Sequence, residues 1–171
     1  MYNKPLVFIK GDGGKVKIDR KPLQKISEYL QLGKEMNEAG GVLLGRYIID
    51  SNDIVVDDIT TPMQYDVRKR CFFLKQKSLH QKIVTEKWNQ SKGTCNYLGE
   101  WHTHPEATPT PSFIDKKEWK RLAKSTKFDG EYLYFLIAGT ENIRVWEANR
   151  NSFAITQLEE VCVERCEGNE V

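Results

Sequence analysis

The sequence predicts a single α+β domain in which helices pack against a curved sheet. Short segments with strand-like alternation or a continuous apolar run are interleaved with three longer segments whose apolar residues recur at helical spacing. A length of 171 residues is enough for one domain with a sizeable core. No internal repeat or linker divides the chain, so we place one domain at residues 1–158 and an acidic tail at residues 159–171.

In chain order, the predicted strands occupy residues 6–9, 15–18, 42–49, 54–61, 97–104, 131–138, 142–147 and 152–158, and the predicted helices residues 21–32, 72–90 and 112–127. Gly-rich residues 11–14 indicate a hairpin turn between the first two strands. The first helix has Pro22 near its start and Gly33 as its stop signal, and its lysines are expected to form a solvated face. Residues 61–70 are charged and are predicted to be irregular. His80, in the second helix, is interpreted as an ordinary surface or packing histidine.

The composition argues against several classes of protein. A net charge of +2 gives no reason to expect nucleic-acid or membrane binding. No apolar run approaches the roughly 20 residues of a membrane helix. The first residues lack the apolar core of a signal peptide, so we expect a cytoplasmic protein. No Cys-x-x-Cys pair occurs, and free thiols are therefore expected at Cys71, Cys95, Cys162 and Cys166.

One stretch, Gly99–Asp115, carries the strongest chemical signal. His102 and His104 are two residues apart on a predicted strand, so their side chains point to the same face. After a proline-rich connection, Ser112 fits the N-cap of a helix with Asp115 in its first turn. That turn can bring the carboxylate of Asp115 back toward the two imidazoles. Two nitrogens and one carboxylate oxygen are the three protein ligands of a catalytic zinc site, which leaves the fourth position for water.

Glu38 is a second polar candidate, and a glycine-rich predicted strand follows it. Gly40 and Gly41 weaken a strand and call for a reason, which is commonly the close approach of another backbone or of a ligand. We therefore include both glycines, together with Glu100, as candidate substrate-binding residues. Glu100 falls on the same strand face as the two histidines, where it either orients an imidazole or lines the cleft. Trp101 faces the opposite side and is expected to pack on a helix.

Together these residues resemble a known signature. His102-x-His104, seven residues, Ser112, two residues and Asp115, with Glu38 upstream, match the JAMM (JAB, or MPN-plus) zinc metalloproteases. The resemblance covers about residues 20–158 and implies the cytidine-deaminase-like JAMM fold, with a mostly antiparallel curved sheet. It also implies one Zn²⁺ held by His102, His104 and Asp115. Glu38 would then be the general base, and Ser112 would stabilise the oxyanion.

The segments Glu38–Gly41, Thr61-Pro62 with Asp66, and Tyr97–Pro105 are similar to the bacterial JAB branch found in anti-phage CBASS operons. In those operons the JAB protein accompanies E1- and E2-like enzymes and a cGAS-like nucleotidyltransferase. The resemblance implies an isopeptidase that acts on a protein conjugate with an extended C-terminal tail. We expect such a tail to add a strand to a sheet edge, and the Glu38–Gly45 region is a candidate for that edge. Eukaryotic deubiquitinases usually carry an aromatic residue at the position of Glu100, so the resemblance does not make ubiquitin the substrate.

Three alternatives stay open. Another bacterial ubiquitin-like operon could supply the substrate, in which case the enzyme would mature or remove a ubiquitin-like modifier. A catalytically inactive MPN scaffold is the second, although such scaffolds generally lack some of the metal-site residues. A nucleobase deaminase is the third, and it is disfavoured because neither His-x-Glu nor Pro-Cys-x-x-Cys occurs in the chain.

Overall fold

A computed structural model describes residues 3–161 of the chain. Within these residues there are three helices: α1 (Arg20–Ser27), α2 (Lys77–Gln90) and α3 (Phe113–Ser125). The strands over the same residues are β1 (Leu6–Ile9), β2 (Lys15–Ile18), β3 (Gly40–Tyr47), β4 (Ile54–Ile59), β5 (Val67–Lys69), β6 (Phe72–Leu74), β7 (Asn96–Thr103), β8 (Tyr132–Ala138), β9 (Ile143–Asn149), β10 (Ile155–Gln157) and β11 (Glu159–Glu160). None of these helices is long and apolar enough to cross a membrane.

The main sheet has nine strands in the order β10-β9-β8-β7-β3-β4-β2-β1-β11. Neighbouring strands are antiparallel except for β2 with β4 and β7 with β8. The two strands at the ends of this order, β10 and β11, are separated in the chain by Leu158 alone. The sheet must therefore bend round until its two edges nearly meet. This arrangement confirms the α+β prediction with a curved, mostly antiparallel sheet.

The core lies on both faces of the sheet, as β8 shows. Tyr134, Leu136 and Ala138 pack into one cluster, which also contains Leu23 and Ile26 of α1. The intervening residues of β8 join a second cluster, with Trp119 of α3. Because successive strand side chains point to opposite faces, α1 and α3 cover opposite sides of the sheet. Strand β8 itself pairs with β7, the strand that carries the histidines.

Helix α1 is shorter than the sequence suggests, because it ends at Ser27 and not at residue 32. Leu32 was expected to belong to the helix, but it is 71% exposed and contributes nothing to the core. The buried residue of this segment is Gln31, whose Nε2 donates to the carbonyl oxygens of Met36 (3.1 Å) and Arg70 (2.7 Å). These tertiary hydrogen bonds outweigh the local helical pattern.

The prediction of one helix over residues 72–90 is wrong at its start. Phe72–Leu74 form β6, which pairs with β5 in a separate two-stranded sheet, and the helix begins at Lys77. Strand β5 lies in the segment that was predicted to be irregular. The aromatic residues of β6 favour strand over helix. Asp66 stabilises the start of α2, because its Oδ1 accepts a hydrogen bond at 2.6 Å from the backbone N–H of Gln76, the N-cap residue.

A short strand lies at the start of the predicted acidic tail. Glu159 and Glu160 form β11 and pair antiparallel with Ile9 and Phe8 of β1. The sheet therefore extends past the predicted domain boundary. The rest of the predicted tail, with Cys162 and Cys166, lies outside the described residues. Cys71 and Cys95 are free thiols, as predicted.

Candidate metal centre

Strand β7 places the two histidines between its neighbours β3 and β8. His102 lies opposite Gly40 in the antiparallel pairing with β3 and opposite Ile137 in the parallel pairing with β8. His104 follows the end of the strand, and its backbone N–H donates to the carbonyl of Ala138 at 2.9 Å. Both imidazoles consequently project from the same face, and their Nε2 atoms are 3.0 Å apart. This is the alternation that the sequence predicts.

The first turn of α3 brings in the carboxylate of Asp115. Ser112 is the N-cap, as predicted, and its Oγ accepts a hydrogen bond from the backbone N–H of Asp115 at 3.1 Å. In return, Asp115 Oδ2 accepts from the backbone N–H of Ser112 at 2.6 Å. This reciprocal capping box fixes the carboxylate. Its Oδ1 lies 3.4 Å from His102 Nε2, and its Oδ2 lies 3.6 Å from His104 Nε2.

These three separations fit a tetrahedral zinc site. At the usual zinc–ligand distances of roughly 2.0–2.2 Å, two tetrahedral ligand atoms are about 3.3–3.6 Å apart. The two histidine Nε2 atoms are 3.0 Å apart, and each lies near a different oxygen of Asp115: His102 Nε2 is 3.4 Å from Oδ1 and His104 Nε2 is 3.6 Å from Oδ2. Borderline imidazole nitrogens and a carboxylate oxygen are also the donor types that zinc accepts. The residues therefore fit the metal that the sequence predicts.

Glu38 lies beside this trio. One ligand atom from each of Glu38, His102 and His104 can be chosen so that all three lie within 4.8 Å of one another. The Glu38 carboxylate is 4.0 Å from His102 Nε2, which is farther than Asp115 is from the same atom. By this distance Asp115 fits the predicted position of the third ligand better than Glu38 does. The roles of Asp115 as a ligand and of Glu38 as the base stay predictions.

Burial shifts the protonation of the site. It raises the pKa of Glu38 to about 8, with a further increase from the negative charge of Asp115. Burial also lowers the pKa of His102 to about 4, although the Asp115 carboxylate opposes this shift. At neutral pH His102 is therefore uncharged, which is the form that binds a metal. Glu38 has a pKa close to neutrality, as a group that takes and returns a proton needs.

Thr103, which the sequence analysis did not single out, joins the segment of Glu38 to the strand of the histidines. Its side chain points away from them, and its Oγ1 accepts from the backbone N–H of Ala39 at 3.0 Å. Its backbone N–H donates to the carbonyl of Ala39 at 2.8 Å, and its hydroxyl donates to Gln31 Oε1 at 3.1 Å. Thr103, which lies between the two histidines in the chain, is thereby joined to Ala39, the residue that follows Glu38. No local pattern in the sequence could have revealed this long-range contact.

Glu100 lines the cleft, and it orients neither histidine. Its Oε1 forms an ion pair with Lys75 and accepts a hydrogen bond from the hydroxyl of Tyr97 at 3.3 Å. Of the two roles that the sequence allowed, the structure favours the cleft wall. Trp101 packs in the core with the ring of Tyr29, which follows α1, at 6.1 Å between centroids.

The structure gives Gly40 and Gly41 a reason other than space for substrate. A Cβ at Gly40 would come within 2.6 Å of the Phe73 ring and of the Trp101 carbonyl oxygen. A Cβ at Gly41 would come within 2.1 Å of the carbonyl oxygen of Thr60. Both glycines allow close packing around β3. This strand pairs with β4 on one side and β7 on the other, so its edges are not open to an added strand.

The centre opens into a cleft of about 300 Å³. Besides the polar residues described above, its wall contains Phe72 and Phe73 of β6 and Ile114 of α3. A larger groove of about 670 Å³ lies between α2 and α3, and Glu100 lines both spaces. His80, on the buried side of α2, is a packing histidine: Nδ1 lies 2.7 Å from Thr60 Oγ1 and Nε2 lies 3.0 Å from Asp66 Oδ2.

Comparison with known proteins identifies the family. A family model described as "Prokaryotic homologs of the JAB domain" matches residues 22–149. The chain belongs to this family. One similar JAB relative is the "CD-NTase/cGAS isopeptidase" of Escherichia coli (strain TW11681), which is 36% identical over 151 residues, or 88% of this chain and 93% of the relative.

A protein of the same description from Pseudomonas aeruginosa (strain BWHPSA011 / Pa011) is 38% identical over 101 residues, which cover 59% of this chain and 63% of that protein. The solution structure of a protein from Desulfitobacterium hafniense is similar with a TM-score of 0.57 and 17% identity, and the match covers 82% of this chain and 87% of that one. At this identity the match to the solved structure supports the JAB fold alone.

Proposed function

We propose that this JAB domain is a zinc-dependent isopeptidase that removes a cGAS-like nucleotidyltransferase from its protein conjugates in a bacterial anti-phage system. One observation carries the proposal: His102, His104 and Asp115 converge at the separations of zinc ligands beside the buried Glu38. The descriptions of the E. coli and P. aeruginosa relatives as CD-NTase/cGAS isopeptidases support the choice of substrate.

His102, His104 and Asp115 would hold the zinc ion. When bound, zinc supplies a Lewis acid that lowers the pKa of a water molecule to roughly 7 and polarises the scissile carbonyl. The protein contributes ligands whose positions are held by its own backbone contacts. Asp115 is held by the capping box and the histidines by the pairing of β7 with β8.

Glu38 carries the proton in this proposal. Its carboxylate takes a proton from the attacking water and returns it to the departing amine, so that a neutral amine leaves. The elevated pKa of about 8 suits the second half of this transfer, because a protonated Glu38 persists near neutral pH. General acid–base catalysis of this kind contributes roughly 10²- to 10⁴-fold in rate.

Ser112 would stabilise the oxyanion. Its Oγ accepts one hydrogen bond, from the backbone N–H of Asp115, and the hydroxyl proton stays available to donate into the cleft. An oxyanion-hole donor of this type typically contributes about 10²- to 10³-fold to the rate. The capping role and the catalytic role are compatible, since one uses the oxygen as an acceptor and the other its proton.

The extended tail of the substrate requires an open edge of backbone near the centre. Strand β6 pairs with β5 on one side, and Phe72 and Phe73 line the cleft. The outer edge of β6 is therefore the better place for strand addition than β3. Association with E1- and E2-like enzymes and a cytoplasmic location stay predictions of the sequence.

A cleavage panel tests the proposal. The substrates are C-terminal fusions of one reporter to a CBASS nucleotidyltransferase, a bacterial ubiquitin-like protein or ubiquitin, with zinc-loaded wild-type protein and Glu38→Gln as the control. We expect cleavage of the nucleotidyltransferase fusion alone, and its loss in Glu38→Gln. Cleavage of a ubiquitin-like fusion instead would retain the peptidase and overturn the anti-phage substrate. No cleavage with zinc bound would favour a scaffold.

A further inference from the structure

The catalytic role proposed for Glu38 requires a fixed carboxylate, yet residues 36–39 form neither helix nor strand. Within the described residues, the carboxylate has its closest ion-pair contact at 4.0 Å, with His102. The side chain is therefore not held by a direct charged partner. Its position must come from the contacts of its backbone.

Both polar groups of the Glu38 backbone bind to β5. The N–H of Glu38 donates to the carbonyl of Lys69 at 2.8 Å. The carbonyl of Glu38 accepts from Arg68 Nε at 2.9 Å, and Arg68 Nη2 donates to the carbonyl of Asn37 at 3.2 Å. A planar guanidinium can hold two consecutive carbonyls in this way, whereas a lysine ammonium has no fork.

Arg68 is itself held in place by the ligand strand. Its guanidinium lies over the ring of Tyr29, 5.6 Å from the centroid, and Tyr29 packs on Trp101. Trp101 immediately precedes His102 in β7. The side chain of Arg68 therefore connects the backbone of Glu38 to the strand that carries the two histidines.

The base of the β5–β6 hairpin is also anchored. Asp66 Oδ2 accepts from the backbone N–H of Met63 at 2.7 Å and lies 3.0 Å from His80 Nε2. The other ring nitrogen of His80, Nδ1, lies 2.7 Å from Thr60 Oγ1, so this imidazole bridges Asp66 and Thr60. Because both ends of the hairpin are tied to the core, β5 is a firm support for Glu38.

We propose that Arg68 is a positioning residue for the catalytic base, and that its fork on the carbonyls of Asn37 and Glu38 sets the distance from Glu38 to the metal centre. This inference rests on the proposed function. Arg68 touches neither the substrate nor the reacting atoms in this assignment; it acts through Glu38. A displacement of about 1 Å in a catalytic group can cost roughly 10²-fold in rate.

The test compares Arg68→Lys with Arg70→Lys. The control is matched, because Arg70 Nη1 also donates to backbone carbonyls of the same segment, those of Gly33 (3.3 Å) and Lys34 (2.6 Å), but not to Glu38. We expect Arg68→Lys to lower kcat by about 10- to 100-fold, with KM within about threefold and zinc content unchanged. Arg70→Lys should keep kcat within about twofold of wild type.

Amide hydrogen exchange provides a readout that is independent of cleavage. The N–H of Glu38 is bonded to Lys69, so peptides containing it should exchange at least about tenfold faster in Arg68→Lys and at the wild-type rate in Arg70→Lys. A wild-type kcat, unchanged exchange or loss of zinc in Arg68→Lys would overturn the assignment. Failure of wild-type protein to cleave any fusion would instead overturn the proposed function, and hydrogen exchange would still decide the role of Arg68.

Discussion

Two buried carboxylates of this protein, those of Glu38 and Asp58, face opposite electrostatic surroundings. Their side chains are almost equally buried, with 8% and 7% exposure. Asp58 accepts charged hydrogen bonds from Lys21 (2.6 Å), Lys25 (2.6 Å) and Lys87 (3.2 Å). Glu38 faces an imidazole at 4.0 Å and the like charge of Asp115.

The two pKa values therefore move in opposite directions. Burial by itself would raise the pKa of Asp58, but the three lysines and the backbone N–H of Ile59 hold it well below its usual range. Burial raises the pKa of Glu38 to about 8, and Asp115 adds to this rise. Equal burial thus has opposite consequences according to the partners that surround the charge. One carboxylate ties α1 and α2 to β4, whereas the other is kept available for a proton.

The largest difference that we expect between them is in activity. Glu38→Gln should reduce kcat by about 10²- to 10⁴-fold, because it removes the group that transfers the proton. Asp58→Asn should keep kcat within a few-fold, since Asp58 does not line the cleft. Steady-state cleavage of the reporter fusion measures both. Equal losses in the two variants would remove the distinction between a structural and a catalytic carboxylate.

The free energy of unfolding should respond in the reverse order, with the larger loss in Asp58→Asn than in Glu38→Gln. Asp58→Asn removes the negative charge and one of the two acceptor oxygens that three lysines share, and we expect a loss of about 1–3 kcal/mol in the free energy of unfolding at pH 7. The estimate is modest because the lysine side chains are 36–59% exposed and partly screened by water. Denaturant unfolding measures the change. A loss below about 0.5 kcal/mol would show that the lysines are only a solvated face, as the sequence suggests.

The pH dependence separates the two carboxylates further. Because the pKa of Glu38 is higher in the folded protein than in the unfolded chain, its contribution to stability is full below the pKa of the unfolded chain and is lost as pH rises through about 8. Metal-free Glu38→Gln cannot ionise, so it should gain stability relative to wild type between about pH 5 and pH 9. A depressed pKa gives stability that is lost as pH falls through the unfolded value, so the cost of Asp58→Asn should shrink below about pH 4. Unfolding curves at about pH 2.5, 4, 7 and 9 on metal-free protein test both signs. A gain for Glu38→Gln that is greatest at pH 4 would contradict the assignment.

The smallest stability effect concerns Ser112. Ser112→Ala removes one N-cap hydrogen bond and should cost about 1 kcal/mol, while lowering kcat by about 10²- to 10³-fold. Ser112→Thr, which retains the hydroxyl, is the matched control. If Ser112→Ala shifts the melting temperature but cleaves normally, Ser112 is a helix cap and takes no part in the reaction.

The sequence predicts those features that depend on local spacing. The common face of His102 and His104 follows from strand alternation, and the convergence of Asp115 follows from the N-cap at Ser112. Features that depend on long-range contacts could not be predicted. The hairpin of β5 and β6 has arms of only three residues, too short for a periodic signal, and Phe73 and Leu74 also fit the apolar spacing of the predicted helix. The lysine cluster around Asp58 likewise joins distant segments.

The zinc content of three variants tests the central claim most directly. After exhaustive dialysis, wild-type protein and Glu38→Gln should each retain about one zinc per chain by atomic emission, because Glu38 lies outside the ligand set. Asp115→Asn should bind far less zinc, since it weakens one of only three protein ligands. A zinc-free Glu38→Gln together with a zinc-loaded Asp115→Asn would contradict the account and would make Glu38, not Asp115, the third ligand.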